Sequence, residues 1–411
     1  MTPTLTDVTT RSAGSVERLH EERLLTVLAR RGPMSRADLS TALQLGRSSI
    51  STIVTGLTAR GVLIPAGATG QGGRGRPTTL VQLDPSAVYA LGVDFGHTRV
   101  WVTALNAVAE PIRSAVAVYG GGSPWTERAE LAVGLIGSLG LDADRLRPLR
   151  GAGIGVPGPL VTPTSGKEPG NAPEQTSAAD EPERVRIVRE RLSAVLRVPL
   201  LVDNNTRYAG LAEAATQPDR QVDDILYVRC SDGVGGAAVT AGRLLRGAQG
   251  LAAEIGHLTV DPDGAVCRCG RVGCLETVAS VPAVLADART AGIPVTGLDH
   301  LADWLADGPG PLDAVVDRAG AAVGRALAQA AVLLNPTEIV IGGPLTAAAP
   351  RLVETAAHTY AGLLGDLFPP APVRPAALGD EDGARGAALV VIHQSALLAD
   401  YALPEVPGPT A

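Results

Sequence analysis

Residues 250–276 decide how this chain is read: Gly250-Leu251-Ala252-Ala253-Glu254-Ile255-Gly256-His257, then, after nine residues, Cys267-Arg268-Cys269-Gly270-Arg271-Val272-Gly273-Cys274-Leu275-Glu276. One histidine and three closely spaced cysteines match a Cys3His structural zinc site. The Cys-x-Cys pair supplies two thiolates from one turn, and Gly270 and Gly273 let the loop fold back. A tetrahedron filled by His257, Cys267, Cys269 and Cys274 leaves no open position, so a structural metal is expected rather than a catalytic one. The plainer alternative is a set of reduced thiols beside a chance histidine. Cys230, the fourth cysteine, lies apart and reads as a small buried residue after a strand.

Outward from this stretch the chain alternates strand-like and helical runs. Strands are expected at 88–95, 100–105, 151–156, 198–202, 225–228 and 337–341, and helices at 276–290, 311–334, 350–364 and 384–400. Residues 161–183, rich in Pro, Ser, Thr, Gly and Glu, read as an irregular loop. The alternation argues for α/β layers. Three glycine turns follow strands: Asp94-Phe95-Gly96-His97-Thr98-Arg99, Ser231-Asp232-Gly233-Val234-Gly235-Gly236 and Ile341-Gly342-Gly343-Pro344. Such turns let backbone N–H groups approach a nucleotide, as in an actin-like fold, although ordinary tight turns use the same residues.

Before residue 84 the pattern is different. Leu19, Leu24, Leu25 and Leu28 share a helical face that ends at Gly32-Pro33, and Ser35 with Asp38 resembles a capping box. Gly46 opens a turn before a helix with Ile50, Ile53, Val54 and Leu57 on one face, and residues 62–64 and 80–83 read as a hairpin around the loop at 67–77. This order predicts a winged helix-turn-helix. Its second motif helix would present Arg47, Ser48, Ser49, Ser51, Thr52 and Thr55 to a major groove. Arg74 and Arg76, in Arg-Gly-Arg-Pro at the wing tip, suit a narrow minor groove. Residues 1–83 hold ten arginines and five acidic residues, whereas the whole chain carries a net charge of −7, so only this module is expected to meet double-stranded DNA. A winged module used only for packing is the alternative. A single module per chain implies a homodimer or homotetramer on a two-fold operator.

With 411 residues, 45% of them hydrophobic and 19% charged, the chain can bury two or three domain cores and is not a disordered polymer. It carries no apolar run long enough for a membrane span and no apolar segment near residue 1 resembling a secretory signal, so a cytoplasmic protein without a membrane partner is expected. Four cysteines are too few for a disulfide scaffold of this size.

Taken together, Gly153-Ile154-Gly155-Val156-Pro157-Gly158, Val202-Asp203-Asn204-Asn205, Glu254 to His257 and Cys267 to Glu276 resemble the ROK family of bacterial sugar kinases and sugar-responsive repressors. The likeness is to its repressor branch, of the N-acetylglucosamine and xylose repressor type. It implies a two-lobed, actin-like (ribonuclease H-like) α/β body behind the winged module. The expected division is 1–83 for DNA, 84–206 plus 384–403 for a small lobe, and 207–383 for a large lobe with the zinc site. The resemblance also implies a sugar pocket of Gly158, Asn204, Asn205, Glu254, His257 and Glu276. His257 would bind zinc through one ring nitrogen and face the sugar with the other.

The same resemblance exposes departures from a kinase. Asn205 stands where family kinases carry the catalytic aspartate, and an amide cannot accept the proton. Asp203, two residues earlier, would share a strand face with Asn205 and is the alternative base. His97 crowds the first glycine turn, Asp232 brings a carboxylate to the second, and Pro344 removes an N–H from the third. These changes predict a degenerate kinase site without ATP, used as a sugar sensor by a DNA-binding repressor. A DNA-binding ROK kinase is the first alternative. The second is a regulator answering a protein partner or a phosphosugar, which arginines such as Arg113, Arg207 and Arg246 would favour if they lay at the pocket.

Overall fold

The computed structural model describes residues 19–29, 31–69, 78–140, 149–160, 181–215, 224–365 and 369–393. Arg74 and Arg76, the tail before residue 15, most of the expected loop at 161–183 and the final residues of the 384–400 helix lie outside the described residues.

The first module is built from α1 (19–29), β1 (Met34–Ser35), α2 (Arg36–Leu43), α3 (Arg47–Ala59), β2 (Leu63–Thr69) and β3 (Thr78–Leu83). Leu24, Leu25 and Leu28 anchor α1 in a core shared with Leu39, Ile50, Val54 and Leu57, whereas Leu19 is 52% exposed and does not belong to the buried face. Ser35 caps α2: its Oγ accepts from the Asp38 N–H at 3.1 Å, and Asp38 accepts from the Ser35 N–H in return. The strands form an antiparallel sheet in the order β1-β3-β2. β1, two residues long, was too short to leave a periodic signal in the sequence.

The body holds two five-stranded sheets. One uses β4 (Tyr89–Phe95), β5 (Arg99–Asn106), β6 (Pro111–Val118), β7 (Leu149–Val156) and β8 (Leu200–Asn204), with α4 (Trp125–Ser138), α5 (Glu183–Leu196) and α6 (Asn205–Ala215). The other uses β9 (Ile225–Cys230), β10 (Val234–Thr240), β11 (Arg243–Leu244), β12 (Glu338–Gly342) and β13 (Val373–Pro375). Its helices are α7 (Glu276–Ala279), α8 (Val281–Thr290), α9 (Leu298–Ala306), α10 (Pro311–Leu334), α11 (Pro344–Ala348) and α12 (Arg351–Leu363), and α13 (Asp382–His393) follows. The spatial orders β6-β5-β4-β7-β8 and β11-β10-β9-β12-β13 are the same plan twice. In each, a three-strand antiparallel meander is extended by two parallel strands. This repeated plan makes the body a two-lobed, actin-like α/β structure.

Two helices tie the sheets together. α13 lies on β4 and β7 so closely that a Cβ on Gly92 or Gly153 would sit 1.8 or 1.9 Å from the Ala384 or Ala387 carbonyl oxygen. α6 meets α13 where a Cβ on Gly386 would stand 1.6 Å from the Tyr208 carbonyl, and meets the second sheet where Gly210 abuts Ala237. α6 begins at Asn205, so a division between residues 206 and 207 falls inside a helix that packs on both sheets. Among the described residues, no helix is long and apolar enough to cross a membrane.

Candidate metal centre and interlobe site

The metal stretch folds as a short, tightly pinned hairpin. Thr259 bridges Cys274, and Val266 bridges Val272. Gly270 and Gly273 adopt φ of +87° and +69°, and a Cβ on Gly273 would lie 1.5 Å from the Asp261 carbonyl, so both glycines are required by backbone geometry. The ligand atoms of His257, Cys267, Cys269 and Cys274 lie within 4.8 Å of one another. The Cys267 Sγ–His257 Nδ1 and Cys269 Sγ–Cys274 Sγ separations are both 3.7 Å. The ~2.3 Å Zn–S and ~2.0 Å Zn–N bonds of a tetrahedral site place ligand atoms ~3.5–3.8 Å apart, so the donor set and these two separations fit a metal ion. Cys230 is remote from this group and fully buried, and burial pushes its thiol up to about 12.

Next to the hairpin lie several side chains that the sequence assigned to a sugar. Asn204 ends β8 and caps α6: its Oδ1 accepts from the Thr206 and Arg207 N–H groups at 2.8 and 3.3 Å, and its Nδ2 donates to the Gly158 carbonyl at 2.9 Å. Because the strand stops there, Asp203 and Asn205 do not share a strand face, contrary to expectation. Asp203 is instead paired with Arg207 at 2.8 Å and with Arg246 at 2.9 Å. Arg207 is 2% exposed and reaches on to the Gly250 carbonyl and to Glu254 at 3.3 Å. Burial raises the Glu254 carboxyl above its usual range, while Arg207 and His257 pull it back and Glu276 pushes it further up. Glu276 Oε2 accepts from Arg268 Nη2 at 2.7 Å and from the Val234 N–H at 3.2 Å, and Arg268 Nε lies 2.7 Å from Oε1 in an ion pair. Arg113 lies elsewhere and donates to the Leu139 carbonyl.

Asn205 points to the other side of this group. Its Nδ2 donates to the Phe95 carbonyl at 3.2 Å, and the Asn205 amide acts to lower the Asp94 carboxyl's pKa. Asp94, at the first glycine turn, is 2% exposed and faces Arg229, 3.7 Å away, which also lies 3.2 Å from Asp382. Burial, opposed by Arg229 and reinforced by Asp382, pushes the Asp94 carboxyl up to about 6. Tyr227 donates to Asp382 from the same strand as Arg229, so a charge cluster links β9 to β4 and to the start of α13. His97 is held below its ordinary value, chiefly by burial and also by Arg268, Arg128 and Arg229, while Asp232 works the other way.

The other glycine turns are packing surfaces. Gly233 abuts Glu276 and Arg268, Gly235 abuts Thr206, and Gly343 (φ +98°) lies against the Cys230 backbone. The sequence did not single out Arg229, Asp382, Tyr227 or Arg268 for these contacts. Their partners are distant in the chain or hidden inside the metal motif, so no local pattern marks them.

In the first module, Arg47, Ser48, Ser49, Thr52 and Thr55 are exposed on α3 and Ser51 is half-buried, opposite the buried Ile50, Ile53, Val54 and Leu57.

The ROK family profile matches residues 90–394. A glucokinase of Halalkalibacterium halodurans is 35% identical over 228 residues, covering 50% of this chain and 68% of that protein. The DNA-binding transcriptional repressor Mlc of Escherichia coli is 28% identical over 360 residues, 82% of each chain. The crystal structure of a ROK family transcriptional regulator, described as a homologue of Escherichia coli Mlc, superposes with a TM-score of 0.72 at 22% identity. That superposition covers 94% of this chain and 99% of the other, and supports the fold. The family profile, the metal hairpin and the twice-used sheet plan agree, and the chain belongs to the ROK family.

Proposed function

We propose that this protein is a sugar-responsive, DNA-binding transcription regulator, a repressor of carbohydrate genes, in which a kinase site serves as a sensor. One observation carries the reading. Glu254 and Glu276 lie beside the His257–Cys267–Cys269–Cys274 cluster, and Asn205, read as standing where family kinases carry the catalytic aspartate, donates to the Phe95 carbonyl. The neutral amide cannot take a proton, and losing a general base lowers rates by ~10²–10⁴-fold. Arg229 already pairs with Asp94 on the nucleotide side.

In this reading Gly158, Asn204, Glu254, His257 and Glu276 hold the sugar and Asn205 borders it. His257, Cys267, Cys269 and Cys274 hold a structural Zn²⁺, which would fix the His257 ring and fold the loop leading to Glu276. Residues 1–83 form a winged helix-turn-helix whose α3 reads the operator through Arg47, Ser48, Ser49, Ser51, Thr52 and Thr55. Arg74 and Arg76 serve the minor groove. Two such modules act in a homodimer or homotetramer in the cytoplasm. A match to a repressor over 82% of each chain supports this choice over a kinase. A phosphosugar effector is the second reading, favoured by Arg246, whose side chain keeps 31% of its surface exposed beside Asp203.

The test is linkage. DNA fragments selected by the protein are titrated at several fixed concentrations of a sugar that binds it. The sugar should weaken DNA binding by the factor by which DNA weakens sugar binding. Independence of the two affinities overturns the proposal.

A further inference from the structure

The sugar pocket above contains an unassigned residue whose geometry links metal and ligand. Arg268 lies between Cys267 and Cys269, so folding of the metal hairpin sets its backbone. Its side chain is 62% exposed, yet its guanidinium lies along both Glu276 oxygens: Nη2 donates to Oε2 at 2.7 Å, and Nε lies 2.7 Å from Oε1 in an ion pair. The pair lies on the Gly233 turn, where a Cβ would come within 2.6 Å of Glu276 Oε2 and 2.8 Å of Arg268 Nη2. A carboxylate offers about four acceptor positions. The Arg268 Nη2 and Val234 N–H groups both donate to Oε2, while Oε1 is approached by Arg268 Nε at 2.7 Å and by Cys267 Sγ at 3.9 Å. These contacts orient Glu276, and with both donors on Oε2 they leave Oε1 as the oxygen offered to an incoming hydroxyl.

We propose that Arg268 is a positioning residue for effector recognition: it aims Glu276 at one sugar hydroxyl, and it does so only while the metal hairpin is folded. This rests on the sugar-sensor reading and names the part of it that sets hydroxyl selectivity. The metal thereby acts on the pocket by two routes, through the ring of His257 and through the backbone that carries Arg268.

The experiment uses the full-length protein, with metal content measured per chain. Calorimetric titration of free hexoses, pentoses and N-acetylhexosamines identifies a binding sugar for the wild type, and its single-deoxy analogues identify the hydroxyl that Glu276 accepts. Arg268→Gln should keep its metal and weaken the parent sugar about ten-fold or more, the usual scale for loss of an orienting partner. Arg268→Lys, which keeps the charge and loses the guanidinium fork, should recover part of the loss. A purely structural role would lower affinity for parent and deoxy sugars alike. Positioning predicts that the deoxy analogue which is weak for the wild type loses little more in Arg268→Gln. Unchanged affinity in Arg268→Gln, or tighter binding because the guanidinium had occluded Glu276, overturns the positioning role while sparing the sensor. Failure of every sugar to bind the wild type overturns both.

Discussion

On the proposed reading, replacing Asn205 by aspartate restores the residue type of a kinase base, yet the structure predicts a weaker protein rather than an enzyme. Asn205 is 8% exposed and donates to the Phe95 carbonyl at 3.2 Å, close to the Asp94 carboxylate. Asn205→Asp removes that donor and leaves the carbonyl facing a carboxylate, at a cost of about 1–3 kcal/mol. It also sets a second negative charge against Asp94. Two such charges ~5 Å apart at an effective dielectric near 20 repel by about 3 kcal/mol. Arg229 offsets part of this, so a loss of roughly 3–5 kcal/mol is expected at about pH 8. The sign reverses the usual carboxylate pattern. Asp94 already titrates at about 6, and the introduced carboxyl is likewise raised above its unfolded value. Their protonated forms are favoured in the folded state, so stability is retained at low pH and lost as pH rises through the folded values. Urea unfolding of variant and wild type should therefore differ most at about pH 8 and by only ~1 kcal/mol at about pH 5. Sugar with Mg-ATP should release no ADP from the variant. Wild-type stability at high pH, or a larger deficit at low pH, would refute the reasoning. ADP release would show that the position still supports a base.

Three other outcomes follow from the same geometry. Arg207→Met leaves Asp203 and Glu254 short of a buried partner and should cost ~3–5 kcal/mol in chemical denaturation. Adding Asp203→Asn should recover part of that loss, and a double variant no more stable than the single would count against the cluster. Metal removal by a chelator, checked by elemental analysis, should lower both Tm and sugar affinity, because the hairpin carries His257 and leads into Glu276; no change in either would break that link. Arg47→Ala, at an exposed position on α3, should weaken DNA binding without changing Tm, with a loss of ~1–3 kcal/mol if it reads a guanine; equal DNA affinity would remove α3 from the interface.

The first module was legible because its apolar residues recur at helical spacing and its caps are local. The Ser35–Asp38 box and the Gly32 stop need only a few neighbouring residues. In the body, buried strands such as β4, β7, β9 and β12 announced themselves as apolar runs. The exposed edge strand β6 and the glycine-rich β10 did not. Nor did α6, which hides behind Asn204, a capping side chain that read as the continuation of a strand. The duplication of the sheets is one of connectivity, so a search for sequence repeats passes over it. The candidate metal ligands stood out because their spacing is itself the signal. The Arg229–Asp94–Asp382 cluster was illegible, because β9, β4 and α13 are brought together only by tertiary folding.

The central claim, a sensor of free sugar without kinase activity, is tested most directly by thermal melting of the purified protein against a panel of sugars and phosphosugars, with and without Mg-ATP. A ligand at ~100 times its Kd that binds only the folded state adds ~2.7 kcal/mol. The account predicts a rise in Tm with one free sugar, the same whether Mg-ATP is present or not, and no ADP. A shift that requires ATP, or ADP accumulating in the well, would contradict it.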